Sequence, residues 1–406
     1  MAMSPMRRYR ARCQIGRRPT SGTRRRQSPQ PGMGIALGIV SLSEQGGLQR
    51  DCLGLADALR ARGHEVEVFA ARFAPPWSGA HRAEFLPVRS LTNHGRDVAF
   101  ARALGDRVRS RFDLVVGFNK MPGLDVYYCG DPCVAAKSVR WWRRVSLRRR
   151  AQLALESACF GASSATSTLM LSPAALAIYR EAWGTPAARM LLLPPRIAAD
   201  RARPEPADPA LRHERRSALG YADNDLVWLW VATQPATKGL DRTLSALTRH
   251  PDARLVVVGL SPLARKTRPY LRLAERLKAS LSVQWLGPRQ DIPELMSVAD
   301  VLVHPARLEV TGLVILEALA NGLPVVASGL CGFAHHIRAA GAGIVTPEPF
   351  GEAAFDRALN LASDAAIRER WSVAARAYCR EHDFARGHEA AAEVIERIGH
   401  QKLERS

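Results

Sequence analysis

The sequence predicts an α/β protein of two Rossmann-like, doubly wound domains that face each other across a cleft. Short apolar runs alternate with helical patterns, as in parallel sheets covered by helices. This alternation occurs twice, on either side of a segment rich in proline and charge. The length of 406 residues also exceeds the size at which a single hydrophobic core stops growing, roughly 250–300 residues.

The first series of elements predicts an N-terminal domain over residues 33–195. The run IALGIV after Gly34 is strand-like, SLSEQGG is a loop, and LQRDCLGLADALRARGH has apolar residues at helical spacing. EVEVFA, AEFLPV and DLVVGFN predict three further strands. Residues 196–225 contain several prolines and lack periodicity, so we predict a linker region there.

The second series predicts a C-terminal domain over residues 226–375. Its strand-like runs are LVWLWVA, RLVVVGL, SVQWLG, VLVHPA and PVVAS. Residues 376–406 are predicted to form a helical segment that can cross back to the first domain. Neither half has GxGxxG after its first strand, which argues against an ordinary dinucleotide oxidoreductase.

Charge and cysteine content restrict the class of protein. The net charge is +20, and residues 1–32 contain nine Arg and no Asp or Glu, which predicts a disordered basic extension. Seven scattered cysteines without CxxC pairs or zinc-ligand spacing predict reduced thiols in a cytosolic compartment. Because no apolar run approaches the roughly 20 residues that span a bilayer, we expect a soluble or peripheral protein.

The segment HPARLEVTGLVILEALANG, residues 304–322, carries the strongest chemical signal. A strand ends there, a loop carries Glu309, and a helix that begins near residues 311–312 carries Glu317. A helix start presents free N–H groups and a positive dipole end. We therefore predict a cradle for a diphosphate, formed by Val310, Thr311, Gly312 and Leu313.

Three charged side chains fit distinct tasks around such a cradle. Glu317 can accept hydrogen bonds from ribose hydroxyls, and Glu309 can hold sugar hydroxyls or stabilise positive charge at the anomeric carbon. The ammonium of Lys238 can neutralise a leaving nucleoside diphosphate. The alternative interpretation places the glutamates on a solvated helix face and makes Lys238 a surface residue.

The first domain offers weaker candidates. Gly46 and Gly47 lie between the first strand and helix, where backbone amides can face an anion or a sugar. Asn119 follows the fourth strand; it cannot act as a base, so we predict that it orients the sugar. Asp51 and Asp125 are minor catalytic candidates, with capping or turn roles as the alternative.

Seven blocks in order carry a resemblance to one family. They are GGLQRD, TNHGR, VGFNKMPGLDVY, LPP, KGLDR, DIPELM and the segment from Glu309 to His336. Together they resemble the lipopolysaccharide core heptose(I) α-1,3-glucosyltransferases of glycosyltransferase family 4. The resemblance implies a GT-B fold, UDP-glucose as donor, retention at the anomeric carbon and the inner-core heptose of lipopolysaccharide as acceptor. It also implies that no bound metal or prosthetic group is needed.

Two positions depart from the pattern of this family. Thr237 precedes Lys238 where an Arg is usual, and Arg196 stands where the family usually has the glycine of LPPG. These departures leave two alternatives open for the substrates, namely another nucleotide sugar as donor or another glycolipid as acceptor.

Residues 127–150, YYCGDPCVAAKSVRWWRRVSLRRR, combine aromatic side chains with clustered arginines. Such residues favour the interface of an anionic membrane. We predict a membrane contact formed by Trp141, Trp142, Arg143, Arg144, Arg148, Arg149 and Arg150. This contact would place the protein peripherally on the cytoplasmic face of the inner membrane; a solvated basic helix is the alternative.

A nucleic-acid-binding protein is a further alternative, since a charge of +20 and a Trp/Arg cluster suit phosphate backbones. The two halves show no RRM, KH or zinc-finger pattern, and the basic extension supplies nearly half of the excess charge. We therefore expect no nucleic-acid partner.

Overall fold

The computed structural model describes residues 32–43, 46–74, 82–137 and 146–405. Most of the predicted basic extension, residues 1–31, lies outside these ranges. Within the described ranges the chain forms two parallel sheets, one in each half of the sequence, and both are flanked by helices. This arrangement is the predicted pair of doubly wound domains.

The first sheet has the strand order β3-β2-β1-β4-β5-β6-β7. Its strands are β1 (Gly34–Ile39), β2 (Glu65–Ala70), β3 (Ala83–Phe85), β4 (Leu114–Gly117), β5 (Val126–Cys129), β6 (Ser167–Met170) and β7 (Met190–Leu192). All neighbours pair in parallel. The strand order reverses between β1 and β4, and the carboxyl ends of strands at such a switch point form a crevice.

The second sheet has the strand order β10-β9-β8-β11-β12-β13. Its strands are β8 (Leu226–Val231), β9 (Ala253–Val258), β10 (Val283–Gly287), β11 (Val301–His304), β12 (Val325–Ser328) and β13 (Gly343–Thr346). Here the switch point lies between β8 and β11, which pair directly. Lys238 follows β8 and Glu309 follows β11, so the topology brings both residues to the same crevice.

Helices cover both faces of each sheet. Those of the first half are α1 (Gly47–Ala61), α2 (Asn93–Val108), α3 (Leu147–Phe160) and α4 (Pro173–Trp183). Those that follow are α5 (Pro209–Ala218), α6 (Leu240–Leu247), α7 (Arg268–Arg276), α8 (Ile292–Val298), α9 (Leu313–Ala320), α10 (Ala334–Ala340), α11 (Glu352–Ser363), α12 (Ala365–Glu381) and α13 (Gly387–Leu403).

The predicted linker region, residues 196–225, contains helix α5, which the sequence analysis did not predict. Asp208 caps the helix by accepting a hydrogen bond from the amide of Ala210, and Pro209 occupies its first turn. The helix buries Arg216 completely. The guanidinium of Arg216 bonds the carbonyls of Val298, Ala222 and Asp225 and pairs with Asp300. Because the buried position of this helix holds a charged residue, the sequence lacks the regular spacing of apolar residues from which a helix is predicted.

The C-terminal helix α13 packs against α1 of the first half. Its residues Ala391, Ala392 and Ile395 are fully buried in the core that also contains β1 and α1. At the edge of this contact Glu396 pairs with Arg62 at 2.5 Å and with His64 at 2.8 Å. The end of the chain therefore belongs physically to the core of the first half.

Candidate active site

The loop that follows β11 holds Glu309 between two basic side chains. Lys238 Nζ lies 2.7 Å from Glu309 Oε2, and His304 Nε2 donates to the same oxygen at 3.2 Å. Lys238 Nζ also donates to the carbonyl of Leu308 at 3.2 Å. The ammonium is thus held at the mouth of the crevice by the loop that carries Glu309.

This environment keeps Glu309 ionised. Burial alone would raise its pKa, but the hydrogen bond and charge of His304, together with Lys238, lower the pKa of Glu309 to about 2. At neutral pH the side chain is a carboxylate. It can accept hydrogen bonds or stabilise positive charge, and it cannot serve as an acid.

Helix α9 begins directly after this loop. Gly312 precedes it with φ of 84°, in the left-handed region that favours glycine. A Cβ at this position would lie 3.1 Å from Glu309 Cγ and 3.0 Å from Ile315 Cδ1. The first helical amides, those of Leu313 and Val314, belong to residues that line the cavity described next.

Glu317 lies on α9 and lines the same cavity, and a basic side chain of the other domain lies close to its carboxylate. It is 6% exposed, and Arg50 Nη2 of α1 lies 3.7 Å from its Oε1. Burial raises the pKa of Glu317, while the charges of Arg50 and Arg201 act in the opposite direction. Ser172 Oγ donates to the carbonyl of Val310 at 2.7 Å, so a second polar contact also joins the two domains.

A cavity of about 330 Å³ lies between the domains and unites most of the predicted donor-site residues. Its walls include Gly46, Gly47, Lys238, Glu309, Thr311, Leu313 and Glu317. Val310 and Gly312 do not line it directly, although both belong to the loop between β11 and α9, which also carries Glu309 and Thr311. A larger cavity of about 690 Å³ lies beside α5 and α12, and none of the predicted site residues lines it.

Relatives with this architecture are known. The lipopolysaccharide glucosyltransferase WaaG of Escherichia coli K12 is 36% identical over 360 residues, which cover 86% of this chain and 95% of the relative. The chain belongs to this glycosyltransferase family. The predicted family is therefore confirmed.

Solved structures that match this chain support the same family. A crystal structure of WaaG, described as a glycosyltransferase involved in lipopolysaccharide biosynthesis, matches with a TM-score of 0.83 at 35% identity, covering 89% of this chain and 99% of that one. Anabaena HepE in complex with UDP and glucose matches with a TM-score of 0.70 at 18% identity, covering 90% and 99%, and so shares the fold. The predicted GT-B fold is confirmed.

Two family models match successive parts of the transferase. "Glycosyltransferase Family 4" matches residues 45–201, and "Glycosyl transferases group 1" matches residues 212–378. The enzyme class, a glycosyltransferase, agrees with the prediction.

Three candidates of the first domain lie outside the 330 Å³ cavity of the transferase. Asn119 Oδ1 accepts the amide hydrogen of Val40 at 2.8 Å, which braces the end of β4 against the end of β1. Asp51 Oδ1 lies 3.3 Å from His388 Nε2, at the start of α13. Asp125 accepts hydrogen bonds from the amide of Val115 and from Lys402, so its contacts join structural elements.

The sequence did not single out Arg50, Arg201 or His304 as site residues, yet all three line the cavity of the transferase. Arg50 stands in the block GGLQRD, and His304 closes the strand before the Glu309 loop. A cation beside a glycine pair was a usable signal for Arg50. No local pattern marks Arg201, because it reaches the cavity from the connecting segment.

The predicted membrane contact is described only in part. Trp141, Trp142, Arg143 and Arg144 lie outside the described residues. Arg148, Arg149 and Arg150 stand in the first turn of α3, which Ser146 caps, and Leu147 beside them is 75% exposed. Among the helices of the described residues, none is both long enough and apolar enough to cross a bilayer.

Proposed function

We propose that the transferase moves glucose from UDP-glucose to the inner-core heptose of lipopolysaccharide with retention at the anomeric carbon. One observation carries this proposal: Lys238 and Glu309 form an ion pair beside the start of α9, in a cavity that both domains line. The printed name of the WaaG relative, a lipopolysaccharide glucosyltransferase, supports glucose as the transferred sugar and lipopolysaccharide as the acceptor. The cavity supplies a cation and free amides for a diphosphate and two carboxylates for sugar hydroxyls.

The donor half of the reaction follows from these groups. The amides at the start of α9 and the ammonium of Lys238 bind the diphosphate, and they stabilise the negative charge that grows on it as the glycosidic bond breaks. Glu317 accepts hydrogen bonds from the ribose hydroxyls. The ionised Glu309 lies beside Lys238 and stabilises the positive charge that develops on the sugar ring.

The acceptor half needs no strong base. The acceptor hydroxyl attacks from the face that the diphosphate leaves, and a diphosphate oxygen takes the proton of this hydroxyl. The glycosidic bond to UDP breaks as the new one forms, so the configuration of the anomeric carbon is retained. Asn119 orients the sugar and Asp51 faces the acceptor side in this proposal, and no bound metal takes part.

The two domains take different tasks in this proposal. Residues 33–195 carry the acceptor and membrane contact, and residues 226–375 carry the nucleotide sugar. The basic first turn of α3 and exposed Leu147 support docking to an anionic membrane on its cytoplasmic face. At roughly 1 kcal/mol per engaged basic residue, four arginines suffice for reversible docking.

The proposal is tested with the purified full chain, a panel of labelled nucleotide sugars and core-truncated lipopolysaccharide. We expect transfer from UDP-glucose, and NMR should show an α-linked product. Glu317→Ala and Lys238→Ala should weaken UDP binding about tenfold or more, because each removes a charged partner of the nucleotide. Glu309→Ala should lower kcat about a hundredfold with a smaller effect on UDP affinity.

Lys278→Ala is the matched control, since Lys278 is an exposed lysine of the same domain. Equal UDP affinity in the parent and the three site variants would refute the assigned roles. A β-linked product would refute retention, and transfer from a different nucleotide sugar would replace UDP-glucose as the donor.

A further inference from the structure

A second, smaller cavity adjoins the donor cavity between the two domains. Its volume is about 100 Å³, and it shares Gly47, Thr311 and Leu313 with the donor cavity. Its remaining walls come largely from the ends of strands in the first domain and from the segment that follows β7. A group in this cavity would lie next to the start of α9, where the reacting end of the donor is proposed to be.

One carboxylate and one guanidinium line this second cavity. The carboxylate of Asp51 is already engaged, because its Oδ1 lies 3.3 Å from His388 Nε2. Arg196, in contrast, makes no hydrogen bond or ion pair with any residue that the structure describes. Among the described residues, Asp51 therefore pairs with His388, and it forms no ion pair with Arg196.

The guanidinium of Arg196 lines the second cavity and has no partner among the described residues, so it is available to bind an anion. Arg196 is partly buried, and its Cβ packs closely against Gly387, where an added Cβ would lie 2.6 Å from it. Arginines removed from water normally find an anionic or carbonyl partner. The planar fork of five donors matches the oxygens of a carboxylate or a phosphate.

We propose that Arg196 binds an anionic group, a carboxylate or a phosphate, carried by the acceptor glycan next to the accepting sugar. This inference rests on the proposed function, because it assigns the second cavity to the acceptor. Arg196 is then a specificity-determining residue, and it does not touch the reacting atoms.

The test uses the UDP-loaded full chain and the delipidated acceptor oligosaccharide in four forms. These forms are untreated, dephosphorylated, carboxyl-reduced and treated in both ways. Binding is measured by calorimetry at physiological salt, and kcat and KM are measured with the same four acceptors. The proteins are the parent, Arg196→Gln, Arg196→Lys and the control Arg203→Gln, which alters an exposed arginine of the same connecting segment.

We expect the doubly treated acceptor to bind the parent about tenfold more weakly than the untreated one, as loss of a charge-assisted hydrogen bond predicts. The single treatment that produces this loss identifies the anion. Arg196→Gln should bind all four forms equally, with acceptor KM raised about tenfold on the untreated form and kcat nearly unchanged. Arg196→Lys should keep part of the preference, and Arg203→Gln should behave as the parent.

Three results would overturn the inference. The parent binding all four forms equally would show that no acceptor anion is recognised, whatever the variants do. If Arg196→Gln still prefers the charged forms of the acceptor, other cations of the protein recognise the anion. A loss of UDP affinity in Arg196→Gln would place the guanidinium on the donor phosphates.

Acceptor binding tests this inference, and glucose transfer tests the proposed function, so the two can fail independently. If the parent prefers the charged oligosaccharide through Arg196 but transfers no glucose, the inference stands and the proposed function fails. If the parent transfers glucose without any preference among the four forms, the proposed function stands and the inference fails.

Discussion

Glu309 shows how the pairing of single residues sets the chemistry of this site. Its folded-state pKa, about 2, lies below the ordinary value of 4.5 because His304 and Lys238 outweigh the effect of burial. A depressed pKa of a carboxyl group adds stability above the unfolded-state pKa, and this stability is lost as the pH falls through the folded-state value. The relevant window for Glu309 therefore extends from about pH 4.5 down to about pH 2.

A prediction follows for Glu309→Gln, which keeps the shape of the side chain and removes its titration. The difference in the free energy of unfolding between parent and variant should be about 2 kcal/mol smaller at pH 3 than at pH 5. Urea unfolding at the two pH values measures it. Glu275→Gln, at an exposed position of α7, is the control, and an equal change in that variant would contradict the assignment.

The local sequence marks the charged residues of the site but not which of them pair with each other. Lys238 and Glu309 were each predicted from a strand end and a following helix, and the switch point between β8 and β11 explains why they meet. The contact of Arg50 with Glu317 depends on how the two domains close on each other. The glycine pair before Arg50 marks its loop in the sequence, but the pairing of Arg50 with Glu317 has no counterpart in the local sequence.

At the scale of elements, the start of α9 depends on one glycine. Gly312 has a positive φ and lies where a Cβ would press on Glu309 and Ile315. A non-glycine residue in this conformation costs about 1–2 kcal/mol. The sequence predicted the start of this helix correctly, since a glycine between a strand end and an apolar helical run is a local signal.

We expect Gly312→Ala to lower the stability of the protein by about 1–2 kcal/mol and to weaken UDP binding about tenfold. The reason is that relief of the contacts moves the first turn of α9 and the carboxylate of Glu309 together. Calorimetric titration with UDP and urea unfolding measure the two effects. Gly351→Ala is the matched control, because Gly351 starts α11 with φ of −121° and no atom within 4 Å of the added Cβ. Unchanged UDP affinity in Gly312→Ala would mean that the start of α9 does not contribute to the donor site.

Several short elements escaped prediction for a physical reason. Strands β5, β6, β7 and β13 are only three or four residues long. Their stability comes from neighbours in the sheet, which the local sequence does not encode. Helix α5 was missed because its buried face is built on Arg216 and its carbonyl partners.

At the scale of the whole molecule, the C-terminal helix links the two halves of the enzyme. The chain leaves α12 on the second domain and enters α13, which completes the core of the first. The walls of both proposed substrate cavities include residues of both domains. Relative placement of the domains is therefore a condition for activity, and α13 is one element that fixes it.

Ile395→Ala tests this role of α13. Ile395 is fully buried beside β1 and α1, so truncation should cost about 2–5 kcal/mol, which weakens the first domain selectively. Hydrogen exchange measured by mass spectrometry should rise in peptides of β1 and α1 and stay unchanged in peptides of β8 and β11. Val373→Ala is the control, because Val373 lies on α12 and is 57% exposed. Equal acceleration in both domains would mean that the two cores unfold as one unit, and no acceleration in α1 would mean that α13 does not stabilise the first domain.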